Sequence, residues 1–286
     1  MNLNPYATTV LAATIAATSG ILIKTANLPS TTMTFFRLVV PTIIIFIILK
    51  LKKTIFFRGN YKIMLFSSLL NAIRLWFYIL AFKYTSIGNG IIILFTWPIF
   101  ASLFGIIFLK EKLDKKVGLL ITTAFLGIIM VSIDKNLSFK NHDFVGMVCM
   151  LISAIVFALT TVIFKKESLN YSRMEIVFYQ NFVGAIIFLP VVFVTKPFPT
   201  TLQTFIGIMY GILVGVVAFV LFFYSLKRLK ISHYSVLTYW EVPCATVFGI
   251  IFFKETVSIN MFIGGSLIFL AGILLVLDKN LTEKVL

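Results

Sequence analysis

Gly105-Ile-Ile-Phe-Leu-Lys-Glu-Lys-Leu113 returns 144 positions later as Gly249-Ile-Ile-Phe-Phe-Lys-Glu-Thr-Val257. The same offset carries Asp134-Lys-Asn-Leu137 onto Asp278-Lys-Asn-Leu281. One register held across a helix-length apolar run and the loop behind it marks an internal duplication, and a repeat settles architecture before any local assignment. The chain reads as two units, residues 1–137 and 138–286.

Composition sets the class. Of 286 residues, 60% are hydrophobic and only 12% charged, with a mean hydropathy of +1.05. Soluble domains carry about 25% charge, so this chain cannot clothe itself against water and reads as an all-α integral membrane protein. Apolar runs long enough to cross a bilayer as helices cover 6–23, 33–49, 62–82, 86–109 and 117–133 in the first unit. In the second they cover 144–164, 174–194, 203–226, 232–253 and 259–277. That predicts ten transmembrane helices. The runs are continuous rather than alternating, which excludes an outer-membrane barrel. The first lacks a basic leader and spans on its own, so it reads as a retained helix and not a signal peptide.

The net charge of +15 sits in short loops, where it fixes topology and attracts anionic lipid; nucleic acid is not a partner. With the N-terminus in the cytoplasm, that side collects seventeen basic residues. They run through Lys50, Lys52, Lys53, Arg58, Lys62, Lys110, Lys112, Lys115, Lys116, Lys165, Lys166, Arg173, Lys227, Arg228, Lys230, Lys279 and Lys284. The opposite side receives six: Lys24, Lys83, Lys135, Lys140, Lys196 and Lys254. Both termini are therefore expected in the cytoplasm, as in a multi-pass protein of a bacterial inner membrane. Five spans per unit is odd, so the second unit is inverted relative to the first. Inverted repeats characterise secondary transporters, with the substrate near the midplane between the halves.

Ionisable groups within apolar spans cost about 2.5–3.5 kcal/mol on insertion scales, so those retained are candidate site residues. Arg74 lies halfway along the third span, and Asn71, Arg74 and Tyr78 share one helical face. Their donors suit a carboxylate or phosphate, for which Arg offers a planar fork. A structural Arg paired to a neighbouring helix is the competing reading. Glu241 lies halfway along the ninth span, within Thr238-Tyr239-Trp240-Glu241-Val242-Pro243. It suits a substrate ammonium, a coupling proton or neutralisation of Arg74. Pro243 lacks an N–H, which is expected to free the carbonyl of Tyr239. Thr96-Trp97-Pro98 is the counterpart in the first half, with Thr96 opposite Glu241 and the Leu94 carbonyl freed by Pro98.

Arg37 begins the second span, where snorkelling to the outer interface competes with a place at the cavity mouth; Gln180 is its counterpart when Phe35-Phe36-Arg37 is set against Phe178-Tyr179-Gln180. Trp97, Tyr239, Trp240 and Tyr78 are candidate walls for a cationic or planar ligand. Gly207, Gly211 and Gly215 form a small-residue ridge that brings helices close. Glu111 and Glu255 follow a Lys at helix ends, where exposure would make their ion pairs weak. Cys149 and Cys244 lie singly in apolar spans and read as core residues, and the two His offer no metal site. No Gly-x-x-x-x-Gly-Lys-[Ser/Thr] loop, His-Glu-x-x-His helix or Gly-x-Ser-x-Gly elbow is present, so neither ATP hydrolysis nor those catalytic chemistries are expected.

Ten spans in a five-plus-five inverted repeat, with Gly-Ile-Ile-Phe-(Leu/Phe)-Lys-Glu closing the fourth and ninth, resemble the EamA family of the drug/metabolite transporter superfamily. Trp97 to Val131 and Glu241 to Val276 carry the likeness best, each running through proline, glycine, Lys-Glu and a Gly-bearing final span. In that family the ninth span often has Glu directly before its Pro; here Val242 intervenes. The resemblance implies a central cavity lined by the first four spans of each half, with the fifth and tenth peripheral. It also implies uniport, exchange or proton-coupled movement without ATP. Members handle amino acids, purines, cationic drugs and S-adenosylmethionine. The expectation is a non-enzymatic carrier without cofactors for an amino acid or amino-acid derivative. S-adenosylmethionine uptake is the alternative within transport; a membrane scaffold or an enzyme acting on lipid-linked substrates is the alternative outside it.

Overall fold

In the computed structural model, the described residues are 3–85, 87–133, 141–194, 196, 198–254 and 258–277. They form helices and connections, with no strand among them. Asp134–Leu137, its copy at 278–281 and Glu255 lie outside the described residues.

Helices α1 (Pro5–Ala17) and α2 (Ser19–Ala26) make the first rod, α3 (Ser30–Leu51) the second and α4 (Tyr61–Tyr84) the third. Helices α5 (Ile87–Leu94) and α6 (Trp97–Leu109) make the fourth, and α7 (Lys115–Ser132) the fifth. The second half runs through α8 (Asn141–Glu167), α9 (Arg173–Phe188), the single turn α10 (Val191–Val194) and α11 (Thr201–Tyr210). A π-helical stretch, Gly211–Ala218, joins α11 to α12 (Phe219–Leu226). Then come α13 (Ile231–Thr238), α14 (Glu241–Phe253) and α15 (Ile259–Leu277).

Seven of these rods are long and apolar enough to cross a membrane: Pro5–Ala26, Thr31–Leu51, Gly90–Leu109, Phe144–Glu167, Thr201–Leu226, Ile231–Phe253 and Ile259–Leu277. Large apolar side chains face outward along them, Ile107, Phe108, Ile251, Phe252 and Phe262 each being more than half exposed. Lipid, not water, is the solvent such a surface fits.

Local chemistry places the ends. Asn4 caps α1 by accepting from the Tyr6 and Ala7 N–H groups, ahead of Pro5. Asp114 caps α7 by accepting from Lys116 N–H at 2.9 Å. Ser172 with Glu175, and Thr200 with Gln203, close capping boxes at α9 and α11, each satisfying donors the first turn leaves orphaned. Two rods break in matching places. The fourth turns at Phe95–Thr96 before Pro98, the ninth at Tyr239–Trp240 before Pro243. Helices α6 and α14 both end on a lysine in the left-handed region, Lys110 at φ 55° and Lys254 at φ 53°, whose N–H groups return to the Gly105 and Gly249 carbonyls.

The packing is reciprocal. Helix α3 lies against α9, and α7 against α15. Helix α4 lies against α8 as α1 lies against α12 and the π segment, while α6 meets α8 as α14 meets α1. The glycine ridge allows the closest approach. A Cβ on Gly207 would lie 2.4 Å from the Phe36 ring, on Gly211 2.5 Å from Val40 Cβ, and on Gly215 2.9 Å from Pro41 Cγ. No side chain fits between α3 and this rod.

On the face rich in basic loops the ends are knitted together. Arg58 clasps Glu175 with three hydrogen bonds of 2.9–3.2 Å, and Asn60 donates to Glu167 at 3.1 Å. Lys165 Nζ lies 2.5 Å from Glu111 Oε1, and Ile231 N–H donates to Glu111 Oε2 at 2.8 Å. The expectation of a weak, exposed Glu111 is corrected here: its side chain is only 15% exposed, because the αL turn at Lys110 folds it back over Gly105 toward the N-terminus of α13.

Candidate functional site

Five polar side chains meet between the helices. Arg74 (α4) lies within electrostatic range of Arg37 (α3), Tyr78 (α4) and Tyr210 (α11). Tyr78 and Tyr210 in turn lie within range of Glu241, the first residue of α14. All five keep some accessible surface although they sit among packed helices.

Each cation is held by a neutral partner. Arg74 Nε donates to Asn71 Oδ1 at 3.2 Å, and Asn71 Nδ2 donates to the Gln180 carbonyl at 2.9 Å. Arg37 Nη1 donates to Asn181 Oδ1 at 3.2 Å, and Asn181 is itself fixed to the Val177 carbonyl. Both guanidinium groups lie over aromatic rings, Arg37 4.5 Å from the centre of Phe219 and Arg74 4.3 Å from that of Phe157. Such contacts favour a desolvated cation. Among the described residues no carboxylate forms an ion pair with either arginine. Neutralisation of Arg74 by direct pairing with Glu241, one of the readings open in the sequence, is not what this arrangement contains.

The other candidates divide. Trp97 is buried and packs on Phe157 at 4.7 Å, on the ring that also carries Arg74. Gln180 is buried, its carbonyl holding Asn71 and its side-chain Oε1 without a hydrogen-bond partner among the described residues. Thr96 and Thr238 turn their hydroxyls back to the carbonyls of Ile93 and Ser235, at 2.6 and 2.8 Å, so neither donor faces the cluster. Tyr239 is fully buried against Phe95, its hydroxyl without a partner. Its carbonyl is not freed by Pro243. The Val242 N–H takes it at 3.0 Å, since the chain tightens to i→i+3 bonds through the turn. Trp240 points away: it donates to Thr14 at 3.2 Å and stacks near Phe269. There it lines an apolar lateral cleft of about 680 Å³ with Cys244 and Gly265.

Arg37, for which snorkelling to the outer interface and a place at the cavity mouth were both open, is drawn inward because Gly215 leaves room for it: a Cβ there would lie 3.3 Å from Arg37 Nη1. Tyr210, Asn181, Phe157 and Phe219 are members that sequence reading missed. Asn181 had a signal, standing 144 positions after Arg37, the repeat offset. Among the described residues no group of three His, Cys, Asp or Glu could hold a metal. His233 is buried with its Nδ1 3.4 Å from the Tyr6 hydroxyl, a core contact.

Comparisons with known proteins bear on the family and the fold. The sequence pattern of the EamA-like transporter family matches residues 4–133 and again residues 144–277. The pseudopaline exporter CntI of Pseudomonas aeruginosa is 25% identical over 274 residues, covering 95% of each chain. An uncharacterized transporter of Archaeoglobus fulgidus is 27% identical over 199 residues, 69% of this chain and 70% of that one. A solved crystal structure superposes with a TM-score of 0.84 at 14% identity, covering 96% of this chain and 98% of the other, which speaks for the fold.

Proposed function

The chain belongs to the EamA-like transporter family, and we propose that it is a secondary carrier moving an amino acid or amino-acid derivative across a bacterial inner membrane by alternating access. The observation that carries the substrate class is the pair of guanidinium groups and the single carboxylate, all without protein counter-ions among the described residues. Charge left open among transmembrane helices is expensive, and a substrate carrying both a carboxylate and an ammonium offsets part of it. In this reading Arg74 receives the substrate carboxylate, Glu241 receives the ammonium or the coupling proton, and Trp97 with Phe157 walls the side chain.

Ten spans in two inverted halves, 1–137 and 138–286, with both termini cytoplasmic, are part of the proposal. Support comes from the reciprocal packing, the matched breaks before Pro98 and Pro243, and the twofold match to the family pattern. The rods α4, α7 and α9 then complete the count. Alternating access would rock one half against the other across the α3–α9 contact. The lateral position of Trp240 disfavours an S-adenosylmethionine carrier, which would want that ring beside Glu241.

The test is counterflow of labelled amino acids in proteoliposomes. Glu241→Gln and Arg74→Ala are each expected to abolish uptake while inserting and folding normally. Ordinary transport by both variants would overturn the reading.

A further inference from the structure

We propose that Arg37 forms, beside Arg74, a second anion subsite, so that the substrate is an amino-acid derivative carrying two carboxylates and one cationic amine. This deepens the transport reading above and rests on it.

The geometry comes first. Both arginines are anchored to consecutive residues of α9: Arg74 through Asn71 to the Gln180 carbonyl, and Arg37 directly to the Asn181 side chain. Helix α9 thus sets the spacing of two guanidinium groups from opposite sides, one on α4 and one on α3. Each anchor engages a single N–H of the five an arginine offers, and both acceptors are neutral carboxamides. Such anchors orient without neutralising. The remaining N–H groups keep the planar fork that matches a carboxylate in bidentate fashion.

Charge then selects the ligand. Two like charges within range of each other repel, and the aromatic rings of Phe157 and Phe219 beneath them supply only part of the compensation. With Glu241 ionised the cluster carries one net positive charge. A neutral zwitterion leaves that excess in place. A ligand with two carboxylates and one ammonium cancels it, each carboxylate meeting an arginine and the ammonium meeting Glu241. Gln180, whose backbone carbonyl holds Asn71, is 3% exposed and its Oε1 has no hydrogen-bond donor among the described residues, which is rare for a buried acceptor.

Gly215 and the π segment explain why Arg37 reaches this layer. The ridge brings α3 close enough for Arg37 to pass over Gly215 and settle on Phe219, the first residue after the π turn. A residue with a side chain at 215 would occupy the space the guanidinium uses.

The experiment is a ligand titration of the purified full chain by thermal stabilisation, with L-glutamate, L-glutamine and glutarate as probes. Glutamate is expected to bind at least about tenfold more tightly than glutamine, a difference near 1.4 kcal/mol, and glutarate more weakly than glutamate. Arg37→Gln is expected to collapse the glutamate-to-glutamine ratio to about one. Asn181→Ala, which keeps the charge and releases its anchor, is expected to lower the ratio in the same direction and serves if Arg37→Gln does not fold. Equal binding of glutamate and glutamine to the wild type, unchanged by either variant, would remove the second subsite and leave the transport reading standing. Glutarate binding as well as glutamate would overturn the requirement for an amine. No stabilisation by any probe would overturn the amino-acid reading together with this inference.

Discussion

Gly211→Ala is a severe test of the packing, because the side chain added is a single methyl group. Its Cβ would lie 2.5 Å from Val40 Cβ and 2.7 Å from the Phe36 carbonyl oxygen. Carbon atoms in good contact sit about 3.5–4.0 Å apart, so α3 must retreat by about 1 Å or more. One obstacle is backbone, which no rotamer change can move aside. Overpacking of this kind costs about 1–3 kcal/mol. Gly265→Ala on α15 is the matched control, since nothing lies within 4 Å of the Cβ it would add. Inside a helix that change gains up to about 1 kcal/mol. Thermal unfolding of the two variants in one detergent should therefore move in opposite directions. The backbone retreat also displaces Arg37, which follows Phe36 directly and lies about one turn before Val40, so Gly211→Ala should weaken glutamate binding whereas Gly265→Ala should not. A Gly211→Ala protein as stable as the wild type would refute the close α3 contact.

Glu111→Gln should destabilise by about 1.5–3 kcal/mol, the range for hydrogen bonds to charged groups, with thermal unfolding as the readout; a neutral effect would mean that Lys165 and Ile231 find other partners. Single cysteines placed at Lys112 and Lys254 in a protein lacking Cys149 and Cys244 should be labelled from opposite sides of a sealed vesicle, as inverted halves require. Labelling from one side would remove the inversion. Trp240→Phe should leave amino-acid binding within about twofold while loosening the rod at Thr14, seen as a lower unfolding temperature; a large loss of affinity would bring Trp240 back into the site.

The positions of the seven long apolar rods were legible because they are written locally, in runs of apolar residues. The chemical interest of Arg74 and Glu241 was legible because charge inside an apolar run stands out without any knowledge of neighbours. The fate of the Tyr239 carbonyl was not. Pro243 predicts which bond is lost, but the tightening that hands the carbonyl to Val242 depends on the turn as a whole. The directions taken by Arg37 and Trp240 were not legible, for a different reason. Sequence gives position along a helix but not the direction that face takes once helices pack. Arg37 faces inward because the glycine ridge lies opposite it, and Trp240 faces outward because the turn at 239–240 rotates it toward Thr14. Tyr210 escaped notice because nothing beside it in the sequence sets it apart until the cluster is assembled around it.

The carboxylate of Glu111 joins three separate segments at once: its own turn after α6, the end of α8 through Lys165, and the first N–H of α13. These contacts share one side chain, so that carboxylate is a latch whose removal would release all three together. Helix α13 runs from the latch to the turn before Glu241, about 12 Å at 1.5 Å per residue over its eight residues. So short a helix does not bend appreciably along its length. One end is held by Glu111 and the other leads through the turn at 239–240 to the charged cluster, so releasing Glu111 is expected to displace Glu241.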